Sequence, residues 1–238
     1  MEPRYLRNLP LLGESGQEKL KAAKVLVVGA GGLGCPVLQY LTAAGIGTIG
    51  ICDGDVVQPS NLNRQVLYGD AALGQKKAVW AKERLQQLNP HLNVQVYAQL
   101  LTAENADSLC QSYDIMVDCL DNLAARLLLN DICVKQRKPL VHGAVSQYFG
   151  QQMTILPGTP CLRCIFPDDS VAETQKESPE NGIIGAVAGV IGSIQALEVI
   201  KLIVGKPCNV GVMTYYDLLY QEVDKIEIKA KQDCICQK

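Results

Sequence analysis

The stretch "VVGAGGLG", Val27 to Gly34, joins a Val-rich strand signal to the start of a predicted helix, and it decides the fold class. Its G-x-G-x-x-G spacing lets a backbone turn sharply, approach a phosphate closely and direct a helix N-terminus at negative charge. The glycines expected to bind a nucleotide are Gly29, Gly31, Gly32 and Gly34. This spacing alone is typical of a dinucleotide such as NAD, so other residues have to identify the nucleotide.

Apolar runs alternate with helical segments through the first part of the chain, as in a doubly wound parallel sheet. The predicted strands there are 24–29, 48–53, 93–101, 114–121 and 138–145, and the predicted helices are 32–44 and 75–89. Beyond residue 145, alternating apolar and polar residues predict antiparallel strands that extend the same sheet, at 150–158, 209–219 and 221–230. We expect a Rossmann-like α/β fold with a parallel N-terminal half and antiparallel C-terminal strands.

The chain of 238 residues fits one domain. Its expected parts are an N-terminal helical segment, a nucleotide-binding half and a C-terminal half: residues 1–23, 24–145 and 146–238. Ser15 and Glu18 fit a capping box for a short helix over 16–22. The polar stretch 167–181 is a long predicted loop, and loops of that length are usually mobile or functional.

The composition excludes several partners. A formal net charge of -2 provides no basic surface for many phosphate contacts, so we expect no nucleic-acid partner. Pro and charged residues interrupt residues 1–20, which lack the pattern of a targeting signal, and we expect a cytoplasmic protein. The run 182–205 is long enough to span a bilayer, but Gln195, Glu198 and Lys201 favour a buried helix and no membrane partner.

Asp53 ends the second predicted strand, where a carboxylate can accept hydrogen bonds from a ribose. NAD and other adenine nucleotides share this feature. The following segments, "DGDVVQPSNLNRQ" and "GQKKA", add Asn61, Arg64, Lys76 and Lys77. A dehydrogenase needs no such set of cations, whereas a site that cleaves a triphosphate uses them to neutralise the phosphoryl oxygens. The alternative is that these are solvated surface charges.

The fourth predicted strand ends in "VDCLDN". Carboxylates at the carboxyl edge of a parallel sheet lie over the ligand crevice, where their oxygens can hold Mg²⁺. We predict Asp121 as the magnesium ligand, while Asp118 precedes the edge and is expected either to act as a cap or to be structural. Asp55 and Asn122 complete the predicted nucleotide site.

Four of the ten cysteines form two close pairs, Cys161 with Cys164 and Cys234 with Cys236. Four thiolates of this kind suit a tetrahedral structural Zn²⁺ site that would tie the C-terminal tail to the sheet. The alternative is two pairs of reduced surface thiols and a frayed tail. Most other cysteines lie in apolar runs and are expected to be small core residues.

These motifs, taken in order over almost the whole chain, resemble the MoeB/ThiF/HesA family, bacterial relatives of ubiquitin-activating enzymes. The matching segments are "RYLRN" (4–8), "VVGAGGLG", "DGDVVQPSNLNRQ" (53–65), "GQKK" (74–77), "DCLDN" (118–122), "CLRC" (161–164) and "GVIGSIQALEVIK" (189–201). An ordered set of this kind is far more specific than the glycine loop alone.

The resemblance implies an adenylyltransferase that uses ATP and Mg²⁺. The C-terminal glycine carboxylate of a ubiquitin-like sulfur carrier of the MoaD or ThiS type would attack the α-phosphate and release pyrophosphate, in molybdopterin or thiamine biosynthesis. The residues implied are Asp53 for ribose, Asn61, Arg64 and Lys77 for the phosphates, Asp121 for magnesium, and Arg7, which a homodimer supplies to the partner's nucleotide. The C-terminal half would bind the carrier and the zinc. For Arg7 the alternative is a frayed, solvated terminus.

Two departures from the family pattern affect this expectation. The second cysteine pair is CxC where the family has CxxC, and two ligands separated by a single residue have less freedom to surround a metal ion. Ser178 occupies the place of a cysteine that many relatives use for covalent chemistry, and a serine hydroxyl lacks the acidity of a thiol. We therefore expect the reaction to stop at the adenylate, with sulfur coming from a separate donor.

Two other functions remain as alternatives. A NAD-dependent oxidoreductase would leave Arg64, Lys77 and the cysteine pairs without a role, and a non-catalytic nucleotide-binding member would show no pyrophosphate exchange. A hydrolase is disfavoured because His91 follows a turn signal and His142 lies in a predicted strand as an expected core residue, with no G-x-S-x-G elbow in the chain.

Overall fold

Eight β-strands form one mixed sheet in the computed structural model, which describes residues 2–166 and 182–237. The strands are β1 (Lys24–Val28), β2 (Thr48–Cys52), β3 (Asn93–Tyr97), β4 (Ile115–Asp118), β5 (Leu140–Ser146), β6 (Phe149–Ile155), β7 (Val212–Asp217) and β8 (Glu222–Glu227). Their order in the sheet is β3-β2-β1-β4-β5-β6-β7-β8.

Helices cover the sheet over the same described residues. They are α1 (Leu9–Ala22), α2 (Gly34–Ala44), α3 (Lys77–Leu88), α4 (Ala106–Gln111), α5 (Leu123–Lys135), α6 (Leu162–Ile165) and α7 (Gly185–Val204). Short 3-10 turns connect several of them.

The sheet changes from parallel to antiparallel at β5. Strands β1 to β5 pair in parallel, and β5 to β8 pair as an antiparallel meander. Strand β1 lies between β2 and β4, so the chain direction along the sheet reverses beside β1, where open α/β sheets bind their ligands. The predicted fold class is confirmed. At the far edge, all six residues of β8 are exposed.

Helix α7 packs against α2, α1 and strands β5 and β6. By length and composition it is the one helix of the described residues that could cross a membrane. Its polar residues have partners within the fold: Gln195 donates to the Asp118 carbonyl at 2.8 Å, and Glu198 accepts from the Thr154 hydroxyl at 2.8 Å. A Cβ on Gly192 would lie 2.5 Å from the Leu33 carbonyl oxygen, so a glycine permits the close approach of α7 to α2.

Some element boundaries differ from those expected. Helix α1 begins at Leu9 rather than near residue 16, although its backbone leaves the helical region at Gly13, where φ is 66°. Helices α4 and α5 were not predicted. Strand β3 ends at Tyr97, and residues 98–100 continue as an exposed connection.

Candidate functional site

A cleft of about 830 Å³ opens at the carboxyl ends of the parallel strands, beside the point where the chain direction reverses. The glycine loop after β1 and the ends of β2 and β4 form one wall of the cleft. Residues of β5 and β6, with Tyr215 of β7, form the opposite wall. We call these the glycine wall and the β5–β6 wall.

Two glycines of the loop are required by the fold itself. Gly29 has φ 95°, and a Cβ on it would lie 2.4 Å from the Cys119 carbonyl oxygen. A Cβ on Gly34, the first residue of α2, would lie 2.0 Å from the Gly29 carbonyl oxygen. A side chain at either position would separate the loop from β4 or from the start of α2.

The space around Gly31 and Gly32 is less crowded than that around Gly29 and Gly34. A Cβ on Gly31 would approach only the Gln65 amide nitrogen, at 3.5 Å, and a Cβ on Gly32 would approach the Ala188 side chain at 3.3 Å. Both glycines line the cleft. Their missing side chains expose main chain to the cleft, which is what close approach of a phosphate requires.

Asp53 is held rigidly at the end of β2. One carboxylate oxygen accepts from the Ala30 amide at 2.7 Å and the other from the Asp55 amide at 2.8 Å. The side chain is almost buried, lines the cleft and keeps further lone pairs on both oxygens. It can therefore accept hydroxyl donors from a ribose without moving.

Lys77 is the buried cation of the glycine wall. Its residue is 6% exposed, and its ammonium lies 2.9 Å from the exposed Asp55 carboxylate. Both side chains line the cleft. Lys76 is exposed and donates instead to the Gly54 carbonyl at 2.6 Å, so the structure separates the two lysines that the sequence placed together.

Asn61 and Arg7 lie outside the lining of the cleft. The Asn61 side-chain oxygen accepts from the Gln58 amide at 3.0 Å and stabilises a short turn. Arg7 lies in an exposed turn before α1. Because Arg7 is exposed, its expected contact with the nucleotide of another subunit stays a prediction.

Arg64 lies beside the glycine loop with its guanidinium turned away from the cleft. A Cβ on Gly32 would be 3.5 Å from Arg64 Cγ, so the aliphatic part of the side chain borders the loop. The guanidinium donates to the Ser60 carbonyl at 2.8 Å and to the Asn63 side chain at 3.0 Å. The side chain would have to leave these partners to contact a phosphate in the cleft.

The two aspartates of "VDCLDN" occupy opposite environments. Asp121 is exposed and lines the cleft, and Asn122 caps α5 by accepting from the Ala125 amide at 2.9 Å. Asp118 is fully buried. Asp121 is therefore the carboxylate of this pair that can reach a ligand, as the sequence predicts.

A buried polar group that includes His142 of the β5–β6 wall was not predicted from the sequence. Asp118 accepts from His142 Nδ1 at 2.7 Å and lies 3.9 Å from the Arg126 guanidinium. Burial alone would raise the pKa of Asp118, but Arg126 and His142 hold it below its usual value. Burial lowers the pKa of His142 despite the carboxylate. Asp118 is therefore ionised and His142 neutral near neutral pH.

Arg126 and Gln65 also line the cleft, and neither was predicted as a site residue. Arg126 lies one helical turn after the Asn122 cap, and this spacing from "DN" is the signal that could have identified it. Its guanidinium donates to the Gly143 carbonyl at 2.8 Å and to the Leu120 carbonyl. Gln65 is 4% exposed, and its side-chain oxygen has no hydrogen-bond partner within the described part of the chain.

The four predicted cysteines form a second centre, away from the cleft. The Sγ atoms of Cys161, Cys164, Cys234 and Cys236 all lie within 4.8 Å of one another, and all four residues are buried. The Cys161–Cys234 and Cys164–Cys236 pairs are each separated by 3.6 Å. Zinc with Zn–S bonds of about 2.3 Å spaces tetrahedral sulfurs about 3.8 Å apart, so this cluster fits the ion even with a CxC pair.

Two predicted features, Ser178 and the loop 167–181, lie outside the described residues. His142 is the buried core residue that the sequence analysis expected, and His91 is exposed.

Sequence comparison finds relatives over nearly the whole chain. The Xenopus laevis "Adenylyltransferase and sulfurtransferase MOCS3" is 46% identical over 237 residues, which is 97% of this chain and 52% of the relative. The Thermus thermophilus "Sulfur carrier protein adenylyltransferase" is 43% identical over 241 residues, covering 97% of this chain and 89% of the relative. The chain thus spans about half the length of the MOCS3 relatives and most of the Thermus protein.

Structural comparison finds the same fold in crystal structures of Escherichia coli MccB. The complex with MccA-N7isoASN has a TM-score of 0.89 at 23% identity and covers 100% of this chain and 75% of MccB. The complex with ATP has a TM-score of 0.84 at 24% identity and covers 98% of this chain and 74% of MccB. The model of the ThiF family matches residues 4–237. The chain belongs to the ThiF family, as its motifs predict.

Proposed function

We propose that this protein uses ATP to adenylylate the C-terminal glycine of a small ubiquitin-like sulfur carrier and releases pyrophosphate. The observation that carries the proposal is the glycine wall, where Asp53, Lys77 and Asp121 converge on exposed main chain of the glycine loop. The relatives named above as adenylyltransferases support the same reaction. The MoaD-type carrier of molybdopterin synthesis and the ThiS-type carrier of thiamine synthesis are the proposed partners.

The proposed chemistry needs no protein nucleophile. A carboxylate becomes a good electrophile once one of its oxygens is bonded to AMP, and this requires positioning and fixed positive charge. Asp53 would hold the ribose, while the glycine loop and Lys77 would contact the phosphates. Arg64 would leave Ser60 and Asn63 to join them, and Asn61 would support that turn.

Metal ions have two distinct proposed roles. Asp121 offers exposed carboxylate oxygens at the cleft, the ligand type that Mg²⁺ prefers. Magnesium bound there would offset charge on the phosphates. The buried cysteine cluster would hold structural Zn²⁺ and tie the C-terminal tail to α6.

The proposal extends to assembly and location. We propose a cytoplasmic homodimer in which Arg7 of one subunit contacts the nucleotide of the other, with a separate sulfur donor acting after the adenylate. No nucleic acid or membrane is part of the proposed function.

Isotope exchange between ATP and labelled pyrophosphate, with purified carriers of both types, tests the proposal. The wild-type protein should show exchange that depends on a carrier and on Mg²⁺. Asp121→Ala and Arg64→Ala should each reduce exchange by about 10²- to 10³-fold, the usual cost of removing one group that stabilises transition-state charge. Asp107→Ala, which removes an exposed carboxylate on α4, is the matched control and should not alter it.

Lack of exchange with every carrier would exclude the proposal. Tight binding of NADH without exchange would favour the oxidoreductase, and binding of ATP without exchange would favour the non-catalytic alternative. Full exchange in Asp121→Ala would show that the magnesium assignment is wrong.

A further inference from the structure

The β5–β6 wall contains a histidine that the proposed reaction does not use as an acid or base. His142 lies on β5, opposite Asp118 of β4 in the sheet register, and it is fully buried yet borders the cleft. Its Nδ1 lies 2.7 Å from the Asp118 carboxylate, and its Nε2 lies 3.1 Å from the side-chain nitrogen of Gln151 on β6. These contacts form a chain of hydrogen bonds from Asp118 to the cleft.

The charge on Asp118 determines the direction of every bond in this chain. An ionised carboxylate only accepts hydrogen bonds, so His142 must carry its proton on Nδ1. The neutral ring then presents Nε2 as an acceptor. Gln151 must donate to it through its amide NH₂ group, and this fixes the orientation of the amide.

The charged groups around His142 support this arrangement. Asp118 comes from β4 and Arg126 from α5, and these are the two charged residues that act on the ring. Gln195 of α7 is neutral and holds the Asp118 and Val141 carbonyls at 2.8 and 3.2 Å. Because Arg126 offsets the carboxylate and the ring is buried, the neutral form of His142 is the stable one.

The fixed amide leaves one polar atom for a ligand. Gln151 lines the cleft, and within residues 2–166 and 182–237 its side-chain oxygen accepts from no other residue. An oxygen held in this way can accept a hydrogen bond from an N–H group. It cannot favour a phosphate, which offers only acceptors.

The position of Gln151 indicates which substrate supplies that N–H group. Asp53 lies at the end of β2, and β6 is four strands away across the sheet, about 19 Å at about 4.8 Å per strand. A nucleotide held at β2 with its phosphates at the glycine loop leaves the β5 and β6 side for the second substrate. Backbone N–H groups are what an extended polypeptide tail offers there.

We propose that His142 is a positioning residue that orients the Gln151 amide so that its oxygen accepts a backbone N–H of the carrier's C-terminal tail. The inference rests on the proposed function for the identity of the tail. The role of His142 is indirect, since Gln151 makes the contact and His142, held by Asp118, decides which end of the amide faces the cleft.

Steady-state exchange kinetics test the contact itself. Gln151→Met keeps the length of the side chain and removes the amide. It should raise the KM for the carrier by about 3- to 10-fold, the cost of one hydrogen bond, and leave the KM for ATP unchanged. Gln152→Leu is the matched control, because the neighbouring glutamine bonds Thr154 and lies outside the lining of the cleft, so both KM values should stay at wild-type levels.

A pH profile tests the positioning role. When pH falls through the lowered pKa of His142, protonated Nε2 becomes a donor and the Gln151 amide must turn over, presenting NH₂ to the tail. The carrier KM of the wild-type protein should therefore rise towards acid pH, and that of Gln151→Met should lack this rise. A purely structural histidine would give both proteins the same profile.

Nitrogen NMR of His142 gives a result that does not depend on catalysis. The chain has two histidines, so the His142 resonance can be assigned by comparison with a His91→Gln variant. The Nδ1–H tautomer is expected at neutral pH, and the Nε2–H tautomer would overturn the inference.

The outcomes separate this inference from the proposed function. Carrier-dependent exchange with an unchanged carrier KM in Gln151→Met would overturn only the inference. Absence of exchange in the wild-type protein would remove both the function and the assignment of the tail.

Discussion

The two walls of the cleft are built in different ways. The glycine wall consists largely of main chain, with Asp53 held by two backbone amides and the loop pressed against β4 through Gly29 and Gly34. The β5–β6 wall depends on side chains, because hydrogen bonds among Asp118, His142 and Gln151 fix their orientations. The shape of the first wall therefore depends on the path of the backbone, whereas the polar contacts of the second depend on side chains that orient one another.

Substitutions within the glycine loop are expected to have the broadest effect, because they can lower both stability and exchange, and they separate the packing of the loop from the approach of the ligand. Gly34→Ala places a methyl group 2.0 Å from the Gly29 carbonyl oxygen, so the start of α2 must move. We expect a loss of about 1–3 kcal/mol of unfolding free energy or more, and about a 10²-fold loss of exchange from misplaced groups. Chemical denaturation and pyrophosphate exchange measure the two quantities.

Gly31→Ala is the matched partner of that substitution. Its methyl group would contact only the Gln65 amide, at 3.5 Å, so the free energy of unfolding should stay within the small range typical of tolerated substitutions. The KM for ATP should rise, because the new methyl group occupies space at the cleft. Equal stability of Gly34→Ala and the wild-type protein would contradict the idea that packing builds this wall.

A substitution in the cysteine cluster tests whether the C-terminal half can be destabilised without a change in ATP binding at the cleft. Cys161 and Cys234 are 73 residues apart in sequence, so a shared ion closes a long loop. Cys161→Ser should remove the zinc detected by metal analysis and lower the free energy of unfolding by about 2–4 kcal/mol, comparable to other cross-links of long loops. The KM for ATP should change little, since the cluster lies outside the cleft.

Cys208→Ala is the control for that experiment. Cys208 is a half-buried cysteine outside the cluster, and its substitution should leave zinc content unchanged. A wild-type protein that contains no zinc would disprove the metal assignment and leave the four thiols as a packed cluster.

Ser178→Ala should have the smallest effect. The reaction is expected to stop at the adenylate, and a serine in this position has no assigned step. Exchange should equal that of the wild-type protein. A clear loss of activity would show that Ser178 takes part in the reaction.

Local rules place Asp53, Lys77 and Asp121 beside the glycine loop, and these three residues line the cleft, whereas the predicted Asn61 and Arg64 lie outside its lining. Glycine spacing, a carboxylate at a strand end and the "DN" pair each have a fixed place in a doubly wound sheet. Helix α5 was not predicted although Asn122, a residue type that favours N-caps, directly precedes it, because "LAARLLLNDICVK" has apolar residues on several faces and weak periodicity. Long-range packing, rather than a local pattern, gives that helix its place.

The β5–β6 wall shows what single-sequence reasoning cannot reach. Asp118 and His142 are 24 residues apart, and Gln151 reaches His142 across the turn between β5 and β6. Only strand register brings the three together, and no spacing rule encodes that register. Similarly, the residue type of Arg64 could be recognised, but its contact with Ser60 depends on the rotamer that the surrounding turn selects.

Within residues 2–166 and 182–237, strand β8 pairs with β7 and with no further strand, so it forms an edge of the sheet. An open edge of this kind can recruit the same edge of another molecule and start aggregation. Four of its six residues carry charge: Glu222, Asp224, Lys225 and Glu227. Bringing two copies edge to edge would crowd acidic side chains together, so the charges of β8 oppose pairing of this edge with itself.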